Sequence, residues 1–124
     1  MIEYYRIPSK TKNISSKEIL TITDEHELKD AVYNKSILNI KMLNMKNSNI
    51  NDGTVGILWT ISEPLSLISI NLAENFSFIT DAAVDNLCQS AQMKDLRELN
   101  LADNSITNEA LRRISKAPNM MKLE

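Results

Sequence analysis

Few residues in this chain could do covalent or acid–base chemistry. There is one histidine, one cysteine, and 16 acidic side chains against 14 basic ones, a formal charge of −2. A Ser-His-Asp triad would have to use His26, and nothing in the sequence places it beside a serine. It stands in the run Asp24-Glu25-His26-Glu27, where a solvated imidazole is the ordinary outcome. Cys88 has no His or second Cys nearby to lower its pKa and reads as a small packing residue. A Gly-rich phosphate loop, H-E-x-x-H and C-x-x-C are all absent from the sequence. The acids stand mostly at helix starts or alternate with cations. These residues point to binding without catalysis, metal or cofactor.

Composition narrows the class of partner. The charge balance excludes a strong bias toward nucleic acid or an anionic membrane, and no apolar run approaches the ~18 residues of a membrane-spanning helix. One cysteine rules out an internal disulfide and suits a reducing compartment, so an intracellular, cytoplasmic protein is expected. Two glycines and three prolines leave little room for linkers. The one cationic stretch is residues 1–18, with Arg6, Lys10, Lys12 and Lys17 around Pro8 and a polar run. It is expected to be a solvated arm carrying Ile2, Tyr4 and Tyr5 against the body. Contact with RNA or an acidic partner is its alternative use.

The elements that would position a binding surface recur along the chain. Leu96, Leu99 and Leu101 are spaced L-x-x-L-x-L and followed by Asn104. After them Ile106, Ala110, Leu111 and Ile114 stand at helical spacing, opened by Thr107. Leu67, Ile70, Leu72 and Asn75 repeat the strand half, with Ile79, Thr80, Ala83, Val84 and Leu87 as its helix. Ile40, Leu43, Met45 and Ser48 precede Ile50, Asn51, Thr54, Val55 and Leu58. Ile37, Ile40 and Met42 would also fit the strand, but only the first register starts the helix without an insertion. From Leu43 to Ile70 to Leu99 the steps are about 27 and 29 residues, within the range of leucine-rich repeats. Such a unit has one apolar edge and needs neighbours to bury it. Before these units, Ile19–Ile22 and an Asp24/Glu27 capping pair ahead of Leu28, Ala31 and Val32 read as a shortened first unit.

With these runs in view, the chain resembles the leucine-rich-repeat proteins of the ribonuclease-inhibitor-like and cysteine-containing subclasses. ITDAAVDNL and ITNEALRRISKAPNMMKLE carry the resemblance. Asn75 and Asn104 stand where the second subclass has Cys, and Ala91 and Ala117 at its other Cys position. The resemblance implies an α/β solenoid with parallel strands on the concave face and helices on the convex face. The arm would be residues 1–18 and the repeat domain 19–124, divided into a capping unit 19–36, repeats near 37–64, 65–95 and 96–119, and a terminal strand 120–124. No F-box-like segment is readable before residue 37.

In such an arc the x positions of each strand form the concave surface, so its columns follow from the register. Asn44, Asn71 and Asn100 occupy the middle, either as partner contacts or as a ladder of amides bonded to one another. Lys41, Ile68 and Arg97 form one flank; Asn47, Glu74 and Asp103 form the other; Met42, Ser69 and Glu98 lie between. This mixed, amide-rich surface suits a protein partner better than phosphate. A protein-interaction module or adaptor is the expected function. The alternative is an assembly subunit of a larger complex, such as a ribonucleoprotein, anchored by the arm and by an open C-terminal edge at Met120 and Leu123. The second turn is longer by two residues and brings Phe76 and Phe78, of which at least one ring is expected to plug the core, an exposed aromatic bulge used for binding being the alternative.

Overall fold

The computed structural model describes residues 5–6 and 14–116. In chain order its strands and α-helices are β1 (Tyr5–Arg6), β2 (Ile19–Thr21), α1 (Glu25–Tyr33), β3 (Met42–Asn44), α2 (Asp52–Val55), β4 (Ser69–Asn71), β5 (Phe76–Thr80), α3 (Asp81–Gln89), β6 (Glu98–Asn100), β7 (Asn104–Ser105) and α4 (Asn108–Lys116). Short 3-10 turns cover Ser16–Glu18, Ser36–Asn39, Gly56–Thr60 and Ala91–Met93. The fold is mixed α/β with a mainly parallel sheet. Among the described residues no helix is long and apolar enough to cross a membrane.

Five strands pair in the order β1-β6-β4-β3-β2, all parallel except β1. The register sets Leu20, Leu43, Ile70 and Leu99 side by side. It also forms the rows Ile19, Met42, Ser69, Glu98 and Thr21, Asn44, Asn71, Asn100. Side chains alternate along a strand, so these two rows share the face opposite the leucine row. Leu43, Ile70 and Leu99 lie in the core with Met45, Leu72 and Leu101, against Val55, Leu58, Val84, Leu87 and Ile114 from the helical side. Each such side chain contributes about 1.5–3 kcal/mol by leaving water. Register and burial both place Ile40, Leu43 and Met45 as the core positions of their segment.

The helices start where the sequence supplies caps. The Asp24 carboxylate caps α1 by accepting the Glu27 N–H at 2.9 Å, while Glu27 reaches back past the cap to the Thr23 N–H at 2.7 Å. Asn51 accepts the Thr54 N–H (2.8 Å) and Thr80 the Ala82 N–H (3.2 Å). The acid just inside one helix also holds the cap of the next. Asp52 accepts the N–H and hydroxyl of Thr80 at 2.8 and 2.5 Å, and Asp81 receives the same two groups of Thr107; Glu25 instead accepts the hydroxyl of Thr54, inside α2 and not its cap, at 2.7 Å.

Behind the strands the turns repeat their backbone. Asn47, Glu74 and Asp103 all adopt left-handed φ, between 51° and 59°. Next to them Ser48, Asn75 and Asn104 point inward, 6% exposed or less. Asn75 accepts the N–H groups of Ser48 and Ile50 and donates to the Met45 and Leu72 carbonyls. Asn104 donates to Leu72 (2.7 Å), and the Ser48 hydroxyl to Ile22 (2.6 Å). A buried column thereby bonds backbone groups of each turn to those of the next.

Four expectations change. Phe76 and Phe78 do not plug the core: they are 58% and 49% exposed. Ile79 is fully buried, in the slot that Ile50 and Ile106 fill in the neighbouring segments, and leaves no room for a ring. The two added residues are absorbed in β5, where Phe76 and Thr80 lie opposite the adjacent Asn104 and Ser105. The helix after Asn51 is one turn long and continues as a 3-10 stretch to Thr60. Both glycines of the chain, Gly53 and Gly56, fall in it, each costing a helix ~1 kcal/mol relative to Ala. Leu111 is on the solvent side of α4, 37% exposed, while Ala110 and Ile114 face inward. Finally, the position beside β6 at Leu99 and Glu98 is held by Tyr5 and Arg6, antiparallel. The expected terminal strand, with Met120 and Leu123, lies outside the described residues, as do Lys10 and Lys12.

Candidate functional site

The surface with the most ordered chemistry is the sheet face turned away from the core. Each strand contributes two outward positions, and parallel strands ~4.8 Å apart stack these into rows. In the first row Ile19 is 37% exposed, Met42 and Glu98 are half-buried, and Ser69 is covered, its hydroxyl donating to Glu98 at 2.9 Å. In the second, Thr21 is exposed and Asn44, Asn71 and Asn100 are half-buried.

The three asparagines do not bond one another. Each amide oxygen accepts the backbone N–H two residues on: Asn44 from Lys46 (3.2 Å), Asn71 from Ala73 (3.0 Å), Asn100 from Ala102 (3.0 Å). The inner amides, Asn75 and Asn104, likewise bond backbone groups and meet only through the Leu72 carbonyl, to which both donate.

At the start of the strands Lys41 is exposed and Ile68 and Arg97 half-buried. Their backbones are stitched directly, Ile68 N–H to the Lys41 carbonyl and Arg97 N–H to that of Ile68, both at 2.8 Å. Lys41 reaches Glu18 at 3.0 Å and holds that carboxyl below the usual glutamate range, with the Ser15 N–H and hydroxyl helping. At the far end the left-handed turns carry Asn47, Glu74 and Asp103; Asn47 and Asp103 are exposed and Glu74 half-buried. Glu74 pairs with Lys46 at 2.9 Å and raises the lysine's pKa, the more distant Asp103 adding to it. Of the arm's cations, Arg6 lies in β1 opposite Glu98, and Lys17 is exposed in the turn before β2.

The sequence reading omitted Thr21, Ile19 and Lys46 from this face. The signal was present: Leu20-x-Ile22 matches Leu43-x-Met45, so the run before α1 is a full strand in register with the others.

The remaining chemical candidates are dispersed. His26 is on the outer side of α1, 3.4 Å from Asp30, with most of its ring in solvent. Cys88 is half-buried in α3, where burial first and Asp85 second push its thiol pKa up, away from a reactive thiolate. Among the described residues no three His, Cys, Asp or Glu side chains converge as a metal site would require. A shallow cleft of about 640 Å³ lies between Trp59–Leu65 and the end of α3. Its polar lining includes Ser62, Asn86, Gln89, Ser90, Gln92 and Lys94, of which Gln92 holds the loop: it donates to the Ile61 and Glu63 carbonyls and accepts from the Leu65 N–H. Comparison with family models, with curated proteins and with solved structures found no match to the chain.

Proposed function

We propose that the chain is a leucine-rich-repeat solenoid that works as a protein-interaction module, using the outward sheet face as its recognition surface and performing no catalysis. The observation that carries this reading is the register. Parallel pairing without a slip from β2 to β6 stacks Thr21, Asn44, Asn71 and Asn100, giving a rigid polar row edged by Lys41 and Arg97 on one side and Glu74 and Asp103 on the other. A mixed-sign, amide-rich surface on rigid strands is the composition of a protein-binding face rather than a phosphate-binding one. The dispersal of His26 and Cys88 supports binding over chemistry. The reading also places the protein in an intracellular, cytoplasmic setting.

A second reading is supported by Phe76 and Phe78. Two exposed aromatic rings on one bulge favour a subunit of a larger assembly that is covered at this turn. The two readings separate in one experiment: affinity capture from native extract with wild-type chain, with Met42→Lys on the sheet face and with Phe76→Ser/Phe78→Ser on the turn. A face-binding module loses its partner only with Met42→Lys, and an assembly subunit only with the turn variant. Retention by both variants refutes both readings.

A further inference from the structure

The amide row carries information about what it binds. At Asn44, Asn71 and Asn100 the group bonded to the turn is a backbone N–H. A donor must meet an acceptor, so the carbonyl oxygen faces the turn and the amino group is directed away from that bond. An aspartate would hold the same turn at least as well, since a charged acceptor makes the stronger bond. The turn thus explains an oxygen at these positions but not the amino group, which asparagine supplies three times.

On the basis of the interaction-module reading, we propose that these amino groups form a row of neutral donors receiving a helix of a partner protein. That helix lies across the strands and presents Asn or Gln carbonyls at positions i, i+3 or i+4, and i+7.

Spacing selects the helix. Three adjacent strands set the outer amides ~9.6 Å apart. Positions i and i+7 of an α-helix are ~10.5 Å apart on one side, a mismatch that side chains absorb. Three same-side residues of an extended segment span ~13.6 Å and overshoot the row. Charge selects a neutral acceptor. Around the row stand four cations, Lys41, Lys46, Arg97 and, in β1 opposite Glu98, Arg6, and four acids, Glu18, Glu74, Glu98 and Asp103, so the charges balance, and Lys41 and Lys46 are already paired to acids. A partner carrying carboxylates or phosphates finds no net positive charge to offset its desolvation, whereas a neutral amide carbonyl has little such cost. Ile19 and Met42 beside the row give the same helix an apolar edge to cover.

The test is selection on the full chain from a display library of helical peptides of about 16 residues, enough to cross the four parallel strands. Recovered helices are then measured against N44D/N71D/N100D, which keeps every turn acceptor and removes every outward donor. The expected result is enrichment of Asn or Gln at the stated spacing and a loss of about tenfold or more in affinity for the triple variant, three hydrogen bonds being at stake. Three carboxylates on adjacent strands repel one another, so the triple variant's thermal midpoint should fall modestly. The single N71D variant should keep the wild-type midpoint and lose affinity in the same direction. On the wild-type chain the side-chain NH2 resonances of all three asparagines should shift when the peptide is added. Binders that keep full affinity for the triple variant, or that accept Glu as well as Gln, overturn the inference. If those binders are lost on Met42→Lys the face is still the binding surface; if they survive it, the interaction-module reading falls too.

Discussion

The Asp52 carboxylate, in the first turn of α2, holds both the backbone N–H and the hydroxyl of Thr80, the residue that caps α3. One acid therefore complements its own helix dipole and fixes the start of the next helix. Asp81 and Thr107 repeat the arrangement one segment further on. Hydrogen bonds to a charged group contribute about 1.5–3 kcal/mol, so Asp52→Ala should lower stability by about 2–3 kcal/mol. In a double-mutant cycle with Thr80→Val, coupling of about 1 kcal/mol or more is expected. Additive losses on denaturant unfolding would show that the two side chains act independently.

Gly56 offers the reverse effect. It has right-handed helical dihedrals, φ −59° and ψ −21°, and a Cβ placed on it meets nothing within 4 Å. Gly56→Ala should raise stability by about 0.4–1 kcal/mol, mainly by restricting the unfolded chain. Gly53 is a poorer site, because its Cβ would come within 3.3 Å of the Asn51 cap oxygen. A lower denaturation midpoint for Gly56→Ala contradicts this.

These positions also show how far the sequence could be read. The leucine row was legible because a strand period of two, written with large apolar residues three times over, admits few registers. The helix after Asn51 was misread since apolar spacing survives at Ile50, Val55 and Leu58 while the glycines reduce helix length through backbone entropy, which leaves no periodic mark. Phe76 and Phe78 were misplaced because residue type suggests a core position but cannot tell that Ile79 already fills it. The asparagine columns were aligned correctly by counting. Which atom of each amide is engaged depends on a turn N–H that no spacing displays.

The acid limb of stability should reveal the Glu18–Lys41 pair. Lys41 first, then Ser15, depresses the folded-state pKa of Glu18, and Lys35 does the same for Glu63. A carboxyl whose folded pKa is lowered adds stability above its unfolded pKa and loses it as pH falls through the folded value. The melting temperature should therefore hold from neutrality down to the ordinary glutamate range and fall below it. Both carboxyls keep contact with solvent and are screened by salt, so the effect should be modest and shrink at high ionic strength. Lys41→Met should flatten part of the acid slope. An unchanged slope in that variant would mean the pair contributes nothing.

Phe76 has φ of 55°, a conformation that costs a non-glycine residue about 1–2 kcal/mol and suits Asn better than an aromatic. Its ring is 58% exposed, so little burial is lost on replacing it. Phe76→Asn should accordingly stabilise the isolated chain by about 0.5–1 kcal/mol. A drop in the midpoint would mean the ring packs better than its exposure suggests. A gain in stability together with lost capture of a native partner would mark the ring as kept for binding at a cost in strain.

The inner asparagines should differ from each other. The Asn75 oxygen accepts from Ser48 and Ile50 at 3.1 and 2.9 Å, and its nitrogen donates to Met45 and Leu72 at 3.0 and 2.9 Å. Asn104 donates to Leu72 at 2.7 Å and, at longer range, to Leu101 and Ala102, but its oxygen is buried with no hydrogen-bond partner. The cause lies in the second turn, where the extra residues displace the backbone from the path that Ser48–Ile50 follows in the first. A buried polar group left without its partner costs about 1–3 kcal/mol. Asn75→Ala strands donors and acceptors on both sides and should cost about 3 kcal/mol or more. Asn104→Ala also removes an oxygen that gains nothing, and the Leu72 carbonyl keeps its bond from Asn75, so its cost should be about 1–2 kcal/mol. Guanidinium unfolding of the two variants gives the order directly, and a loss at Asn104 equal to that at Asn75 would show that the shifted turn still satisfies its oxygen in solution.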